Sequence, residues 1–454
     1  MIKKSKTKGR YDPRNRLNNL TGSNWLSSST TVWNSESDKC TLSLKDLKKL
    51  ISLFSKEKTN ISLINFKDIN QKTVLGRKII NANDENKNID YVLVNDPFKK
   101  INNVKTYEQN VEIIIDDIIQ KTRKLKASKY ITLFVQEQCV ENIIPNITYH
   151  ISKQFISSGF KFKGKINLIF KNGEYSYLMH FKKMPDINYE KHENNFLLNS
   201  KRNIPHKVKN GYGIMGSHVK LDDIGKQHPA PYSPEDIKKI LERFSEKGDI
   251  VIDPFVGVGS TTIAAMSCDR KSIGIDLNKH YILLARQRAG LLKNNENHKL
   301  LTGDSLSTIR TIDSVDYCVT SPPYHNILRN NTKGVRNDKS QFRQGVQFYS
   351  EEKKDLGNQN NFSDFLLLHK NIMLEIFKKL KKNSYCSIVV SDFTINKIEQ
   401  NITGIIIEDL EEIGFKYIGT TLLTQNNKAI YPFGYPYDYV VNHTNQYIVN
   451  FYKP

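Results

Sequence analysis

DIVIDPFVGVGSTTIAAMSCDRKSIGID, residues 249 to 276, decides the fold. A short apolar run, Ile250, Val251 and Ile252, ends in Asp253-Pro254-Phe255, and Gly257 and Gly259 follow before Ser260-Thr261-Thr262, a helix start. A second apolar run closes on Gly274-Ile275-Asp276. Strand, glycine turn, helix and strand ending in an acid is the order of a nucleotide-binding half-unit: glycines let the backbone approach a ligand, and the trailing carboxylate takes a ribose hydroxyl. The glycine pattern is G-x-G without a third glycine, which weakens a dinucleotide reading and leaves a purely structural turn open at this point.

Working outward, KHYILLARQRAGLL reads as a helix, KLLTGDS and VDYCVTSPPY as strands, and residues 325–361 as a long polar insertion. FSDFLLLHKNIMLEIFKKLKK is an amphipathic helix, SYCSIVVSD a strand, ITGIIIEDLEEIGF a helix, and KYIGTTLLT and QYIVNFYK closing strands. Upstream the same order occurs once already. IDYVLVNDPF lines up with VDYCVTSPPY, KYITLFVQE with SYCSIVVSD, and SSGFKFKG with EIGFKYIG. Residues 89–183 and 316–453 therefore read as an internal repeat. The chain is predicted to be α/β, with a Rossmann-like sheet covered by helices on both faces and an N-terminal α/β half-domain repeat.

The 454 residues carry 68 Lys+Arg against 47 Asp+Glu, a formal charge of +21. Such an excess points to a polyanionic partner, nucleic acid first, although an AT-rich genome also inflates lysine. With 38% hydrophobic and 25% charged residues a packed core is expected and wholesale disorder is excluded. Five scattered cysteines without a CxxC pair indicate a reducing compartment and no metal site. No apolar run approaches a membrane span, and MIKKSKTKGRYDPRNR has no apolar signal core, so a soluble cytoplasmic protein is expected.

Thr320-Ser321-Pro322-Pro323-Tyr324 ends a strand about 70 residues after Asp253. Two prolines lock the loop's shape. They hold the Ser321 hydroxyl and the Pro322 carbonyl as acceptors beside the flat ring of Tyr324, equipment suited to an exocyclic amine on a planar heterocycle.

With TSPPY and the glycine turn together, the chain resembles the S-adenosylmethionine-dependent DNA amino-methyltransferases, which methylate cytosine N4 or adenine N6. His228-Pro229-Ala230-Pro231-Tyr232 resembles the segment before that family's first strand. Asp253-Pro254-Phe255-x-Gly257-x-Gly259-Ser260-Thr261 resembles its cofactor loop, Asp276 its ribose-binding acid, Asp304 its adenine-side acid, and TSPPY its catalytic loop. LTGSNWLSSSTTVW, QGVQFYSEEKKDLGN, IVVSDF and IYPFGYPYDYVVNHTNQYIV resemble stretches of one bacterial subgroup. The cofactor loop precedes the catalytic loop, the family's γ-like order.

The resemblance implies S-adenosyl-L-methionine as cofactor, with Asp253 and the loop through Thr261 at its methionine moiety. It implies Ser321, Pro322, Pro323 and Tyr324 as catalytic residues and double-stranded DNA as partner. The target base must be flipped out of the duplex. A role as the modification enzyme beside a cognate restriction endonuclease also follows. The chain has no Pro-Cys dipeptide, which argues against ring-carbon methylation through a cysteine. Serine in the loop goes more often with cytosine N4, and adenine N6 is the alternative. Arg329, Lys333, Arg336, Lys339 and Arg343 in the insertion are candidate DNA contacts, because arginine reads base edges while lysine contacts phosphate.

The expected domains are a basic arm and Trp-containing leader (1–40) packing on the catalytic domain, a degenerate half repeat (41–190), a linker (191–215) and the catalytic domain (216–454). The half repeat carries Asn95-Asp96-Pro97-Phe98 where the family has Asn-Pro-Pro-Phe, and no glycine loop precedes it. Its basic cluster at Lys121, Arg123, Lys124, Lys126 and Lys129 is a candidate DNA surface or a solvated face. Two further classes stay open: a non-catalytic nucleic-acid-binding protein on this scaffold, and a methyltransferase for RNA or protein glutamine.

Overall fold

The structure, a computed structural model, describes residues 11–66, 73–84, 86–99, 101, 103, 106–137, 139–141, 143–187, 189, 209–217, 222–228, 232–325, 352, 354–395, 397–425 and 428–454. The chain divides into two compact units: Met1–Ile204 with Asp392–Ile405 and Lys428–Asn445, and Pro205–Ser391 with Ile406–Asn427 and Gln446–Pro454.

The first unit opens with α1 (Gly22–Ser28) and β1 (Val32–Asn34). Next come α2 (Leu44–Phe54), β2 (Asn60–Ile64), β3 (Thr73–Val74), β4 (Arg77–Ile79) and β5 (Ile89–Asn95). Then follow α3 (Tyr107–Lys121), β6 (Leu125–Val135), α4 (Ile147–Ser157), β7 (Lys161–Ile169) and β8 (Tyr175–Lys182). A capping box starts α2, with Ser43 Oγ accepting from Asp46 N and the Asp46 carboxylate accepting from Ser43 N. Leu47, Leu50, Ile51 and Phe54 then fall on one buried face of the helix. IDYVLVN is apolar almost throughout because β5 is central, paired in parallel with β2 and β6 and covered on both faces. The sheet order is β1-β7-β8-β6-β5-β2-β4-β3.

The leader belongs to the first unit, together with residues 428–445 of the segment that the sequence reading assigns to the catalytic domain, and Trp25 touches Tyr435 and Tyr439 of that segment. Trp25 and Trp33 lie in the first unit's core with Leu50, Phe54 and Tyr91, and β1 pairs in parallel with β7. The first sheet has an open edge at β7 that a short strand can close, and β1 fills it.

The second unit starts inside the expected linker, where β9 (Gly213–Gly216) is an edge strand. It continues through α5 (Pro234–Phe244), β10 (Ile250–Asp253), α6 (Ser260–Ser267), β11 (Lys271–Asp276), α7 (Lys279–Ala289) and β12 (His298–Thr302). Then come α8 (Ser305–Thr308), β13 (Val315–Thr320), α9 (Phe362–Lys379) and β14 (Leu380–Val390). The hairpin β15 (Phe393–Ile395) and β16 (Ile398–Gln400) lies in the first unit's share of the chain, and α10 (Ile402–Ile413), β17 (Lys416–Thr424) and β18 (Asn445–Lys453) close the sequence. The sheet order is β12-β11-β10-β13-β14-β18-β17-β9, with β10 to β14 parallel to one another and β18 antiparallel to β14.

The two sheets share an order: β4-β2-β5-β6-β8-β7-β1 corresponds to β11-β10-β13-β14-β18-β17-β9. The repeat thus reaches back beyond residue 89 to the leader. Side chains repeat with the strands. Arg77 Nη2 donates to the Ser55 carbonyl at 2.7 Å, as Arg270 Nη2 donates to the Ser245 carbonyl at 2.9 Å. Ser35 bonds Asp46 as Ser217 bonds Asp236, and Lys126 pairs with Asp90 as Lys381 pairs with Asp316. Lys183 Nζ donates to the carbonyls of Thr122 and Arg123, and Lys453 Nζ to those of Phe377 and Leu380. Between β2 and β4 the first unit has no counterpart of the glycine turn in the sequence. Between β4 and β5 it runs only from residue 80 to 88, where the second unit has α7, β12 and α8.

Candidate active site

In the second unit β10, β11, β12 and β13 run side by side, and the residues at or just past their C-terminal ends meet at one cleft of about 680 Å³. Phe255 follows β10, Asp276 ends β11, Asp304 follows β12, and Ser321 to Tyr324 follow β13; all line the cleft. Doubly wound sheets bind ligands in this place because the strand order reverses there and the loops part. Leu277, Tyr281, Leu356 and Ile372 add apolar wall, and His228 closes one side against Tyr281 with ring centroids 4.9 Å apart.

The turn after β10 is held by its own backbone. Gly257 N donates to Asp276 Oδ2 at 2.9 Å, and Asn278 N donates to Asp276 Oδ1 at 2.8 Å. Gly259 sits at φ 85°, and a Cβ there would stand 2.9 Å from Ala285 Cβ, so the turn needs glycine twice over. Burial pushes the Asp276 carboxyl up to about 7, opposed by those two N–H bonds, with Asp355 and Asp253 adding to the rise.

Asp253, the sequence's candidate for the methionine moiety, is not a cleft-lining residue. It is fully buried and accepts from Tyr232 OH at 2.6 Å, Thr261 Oγ1 at 2.5 Å, Thr320 Oγ1 at 2.6 Å and Phe255 N at 3.0 Å. Burial raises its carboxyl and the three hydroxyls pull the other way. Thr261 and Tyr232 therefore belong to a network beneath the cleft. Ser260 Oγ joins it through the Tyr232 carbonyl at 2.8 Å, and the Pro254 carbonyl accepts from Ser305 Oγ at 2.6 Å.

Tyr324 OH accepts from Gln446 Nε2 at 3.3 Å, a bond that orients the ring at the end of the TSPPY loop. Asp304 caps α8, accepting from Ser307 N at 3.2 Å. Pro229 and the candidate DNA contacts Arg329, Lys333, Arg336, Lys339 and Arg343 lie outside the described residues. Asp355 and Lys354, which also line the cleft, were missed by sequence reasoning. The SEEKKDLGN stretch is the signal, and its place about thirty residues after TSPPY, inside the 325–361 insertion, hides the proximity.

The same positions in the first unit are emptied of this chemistry. Strand register puts Leu63 at Asp253's place and Val94 at Thr320's, and counting back along the matching helix puts Leu42 at Tyr232's. Asn95-Asp96-Pro97-Phe98 follows β5 as TSPPY follows β13, but Phe98 is buried in the unit's own core and forms no open platform. Asp96 stands at φ 28° with its carboxyl pushed up to about 6 by burial.

The family model of the DNA methylases, N6_N4_Mtase, matches residues 17–287, more than half of the chain. This chain belongs to the DNA methylase family. The match runs from the leader through the cofactor turn and stops before TSPPY. Among curated relatives, the orphan methyltransferase M.BamHII of Bacillus amyloliquefaciens is 34% identical over 119 residues, 26% of this chain and 43% of that protein. The type II methyltransferase M.HpaI of Haemophilus parainfluenzae is 40% identical over 63 residues, 14% of this chain and 20% of that protein. The DNA adenine methyltransferase YhdJ of Escherichia coli K12 is 38% identical over 68 residues, 15% of this chain and 23% of that protein. The chain thus matches less than half the length of each of these relatives.

S-adenosylmethionine is the methyl donor that goes with the family, and the cleft of this chain fits it. The donor is a cation with a ribose diol and an amino-bearing ring. The cleft offers the carboxylates of Asp276, Asp304 and Asp355 between apolar walls. No group of His, Cys, Asp and Glu suited to a metal ion occurs among the described residues, and no described helix is long and apolar enough to cross a membrane.

Proposed function

We propose that this DNA methylase transfers a methyl group from S-adenosylmethionine to the N4 amine of cytosine in double-stranded DNA, as the modification enzyme beside a restriction endonuclease. The observation that carries the reading is that Ser321 to Tyr324 share one cleft with Asp276 and Asp304. An amine acceptor and a cofactor cradle then face the same space.

When bound, the cofactor supplies an electrophilic methyl group on a sulfonium. The chain's own task is positioning and charge. Asp276 accepts the ribose hydroxyls, and Asp304 accepts from the adenine amine. The Ser321 hydroxyl and Pro322 carbonyl accept the two N–H bonds of the flipped base's amine, which keeps its lone pair aimed outward. Tyr324 stacks on the base, its ring steadied by Gln446. Prolines 322 and 323 fix the acceptors before the base arrives. A neutral serine acceptor suits cytosine, whose amine is held without a charged partner.

The name of YhdJ, a DNA adenine methyltransferase, favours a second reading, transfer to adenine N6 by the same residues. Nucleoside mass spectrometry of DNA from a methylation-free host expressing the full chain separates the two. N4-methylcytosine is the expected product. N6-methyladenine selects the second reading, and unmodified DNA from cells holding folded protein overturns both.

A further inference from the structure

Residues 428–438, KAIYPFGYPYD, belong to the first unit, far in sequence from its other parts. Their inner side is pinned. Trp25 Nε1 donates to the Phe433 carbonyl at 3.3 Å, and Tyr435 OH donates to the Leu20 carbonyl at 3.2 Å and accepts from Asp12 N at 3.1 Å. The Trp25 and Tyr435 rings meet edge-on at 5.4 Å, and Tyr439 just beyond is fully buried. Gly434, at φ 74°, closes the turn by accepting from Tyr437 N at 2.7 Å.

The outer side is the opposite. Tyr431 and Phe433 are each 37% exposed and Tyr437 is 64% exposed. The Tyr431 and Phe433 rings lie 5.6 Å apart, and the Arg14 guanidinium sits 5.7 Å from the Tyr437 ring centroid. Aromatic rings held rigidly in water leave apolar area unburied, which marks a binding surface more often than a structural need. Charge names the partner. Residues 1–10, which run directly into Tyr11 and Arg14, hold five Lys or Arg and no acid, in a chain of formal charge +21. Stacking rings beside arginine and a basic stretch are the equipment for sugar–phosphate and base faces. Arg14 holds Asp12 through two bonds, Nε to Oδ1 at 3.0 Å and Nη2 to Oδ2 at 2.8 Å, and both side chains reach solvent, so a phosphate competes with that carboxylate for the guanidinium.

We propose that Tyr431, Phe433 and Tyr437 with Arg14 form a DNA contact of the first unit, binding the nucleic acid outside the base being methylated. The inference rests on the reading that DNA is the substrate. It gives the unit that lacks the cofactor residues a share in holding that substrate.

The test is fluorescence anisotropy of the full chain with a labelled random-sequence duplex across a salt series. On a duplex with a single-stranded overhang, whose unpaired bases leave faces open, Phe433→Ala/Tyr437→Ala is expected to bind about tenfold more weakly, the usual cost of removing a stacked ring. Tyr437→Phe, which keeps the ring, binds as wild type. Arg14→Ala lowers the slope of log affinity against log salt by about one. Should the double variant melt early, Tyr437→Ala alone replaces it, since that side chain is largely in solvent. Wild-type affinity and slope in Tyr437→Ala and Arg14→Ala overturn the contact while leaving the methylase reading standing. A wild-type chain that binds no duplex, or prefers anionic vesicles to duplex, overturns both.

Discussion

Thr320 Oγ1 donates to Asp253 Oδ1 at 2.6 Å, joining the last residue of the strand that feeds the catalytic loop to the last residue of the strand that feeds the cofactor turn. With Tyr232 and Thr261 on the other oxygen, one buried carboxylate sets the spacing of three segments. Thr320→Val removes a bond to a buried acid and is expected to cost about 1–3 kcal/mol. The triple change Tyr232→Leu/Asp253→Leu/Thr320→Val copies the first unit's Leu42, Leu63 and Val94. It should lose less stability than the sum of its singles, because no partner is left unpaired. Thermal unfolding of the four variants checks this; simple additivity would show that the network does not act as a unit.

Ser321 lines the cleft and is, on the proposed reading, a neutral acceptor for the incoming amine. Ser321→Ala is expected to lower kcat by about a hundredfold, the usual cost of one preorganised polar group, with cofactor affinity unchanged. Single-turnover methylation with tritiated cofactor reads this directly. Wild-type turnover in the variant would remove Ser321 from the mechanism.

Asp276 carries a pH signature. Its carboxyl stands near 7 in the folded chain, against an ordinary value of 3.8. The folded chain therefore holds this proton more tightly than the unfolded one. The resulting stabilisation is full below about pH 4 and is lost as pH rises to about 7, levelling off beyond. Ribose hydroxyls donate to the ionised form, so cofactor affinity should rise through pH 7 and then flatten, with proton release on binding below pH 7. Calorimetry in buffers of different ionisation enthalpy measures both. In Asp276→Asn the pH dependence should vanish; affinity falling with pH in the wild type would contradict the assignment.

Cofactor stoichiometry tests the inequality of the two units. Leu63 stands where Asp253 would, and the sequence between β2 and β4 holds no G-x-G, only Gly76 in the β3–β4 turn. Titration should reach saturation at one S-adenosylmethionine per chain. A second equivalent of comparable affinity would mean that the Asn95–Phe98 loop serves a site of its own.

Much of this was legible in the sequence, for physical reasons. The DIVIDPF run and the TSPPY loop announce themselves because buried parallel strands need unbroken apolar runs and their functional ends need glycine or proline. The repeat was visible from residue 89 on, where IDYVLVNDPF keeps that apolar run. It is hidden before that, because SLKDLKKLISLFSKEK has Lys45, Lys56 and Lys58 where its counterpart has Glu235, Glu246 and Gly248, while Ser43, Asp46 and Ser55 keep the fold's bonds. The surroundings of Asp253 are hidden in the sequence for a different reason. A motif shows that an acid is required, but not whether it faces the ligand or the protein, and four donors around one carboxylate settle that only in three dimensions.

The first unit counts Tyr439 and Val441 among its core residues beside Trp25 and Phe54. During synthesis those two side chains emerge only after residues 205–391 and 406–427 of the second unit. A domain encoded first usually folds first, yet this one cannot close its core until residues 439–441 have been made. Its unfinished apolar surface must wait, exposed, through the synthesis of the second unit, and any ribosome stalled before residue 439 releases a chain in which the N-terminal unit is the incomplete one.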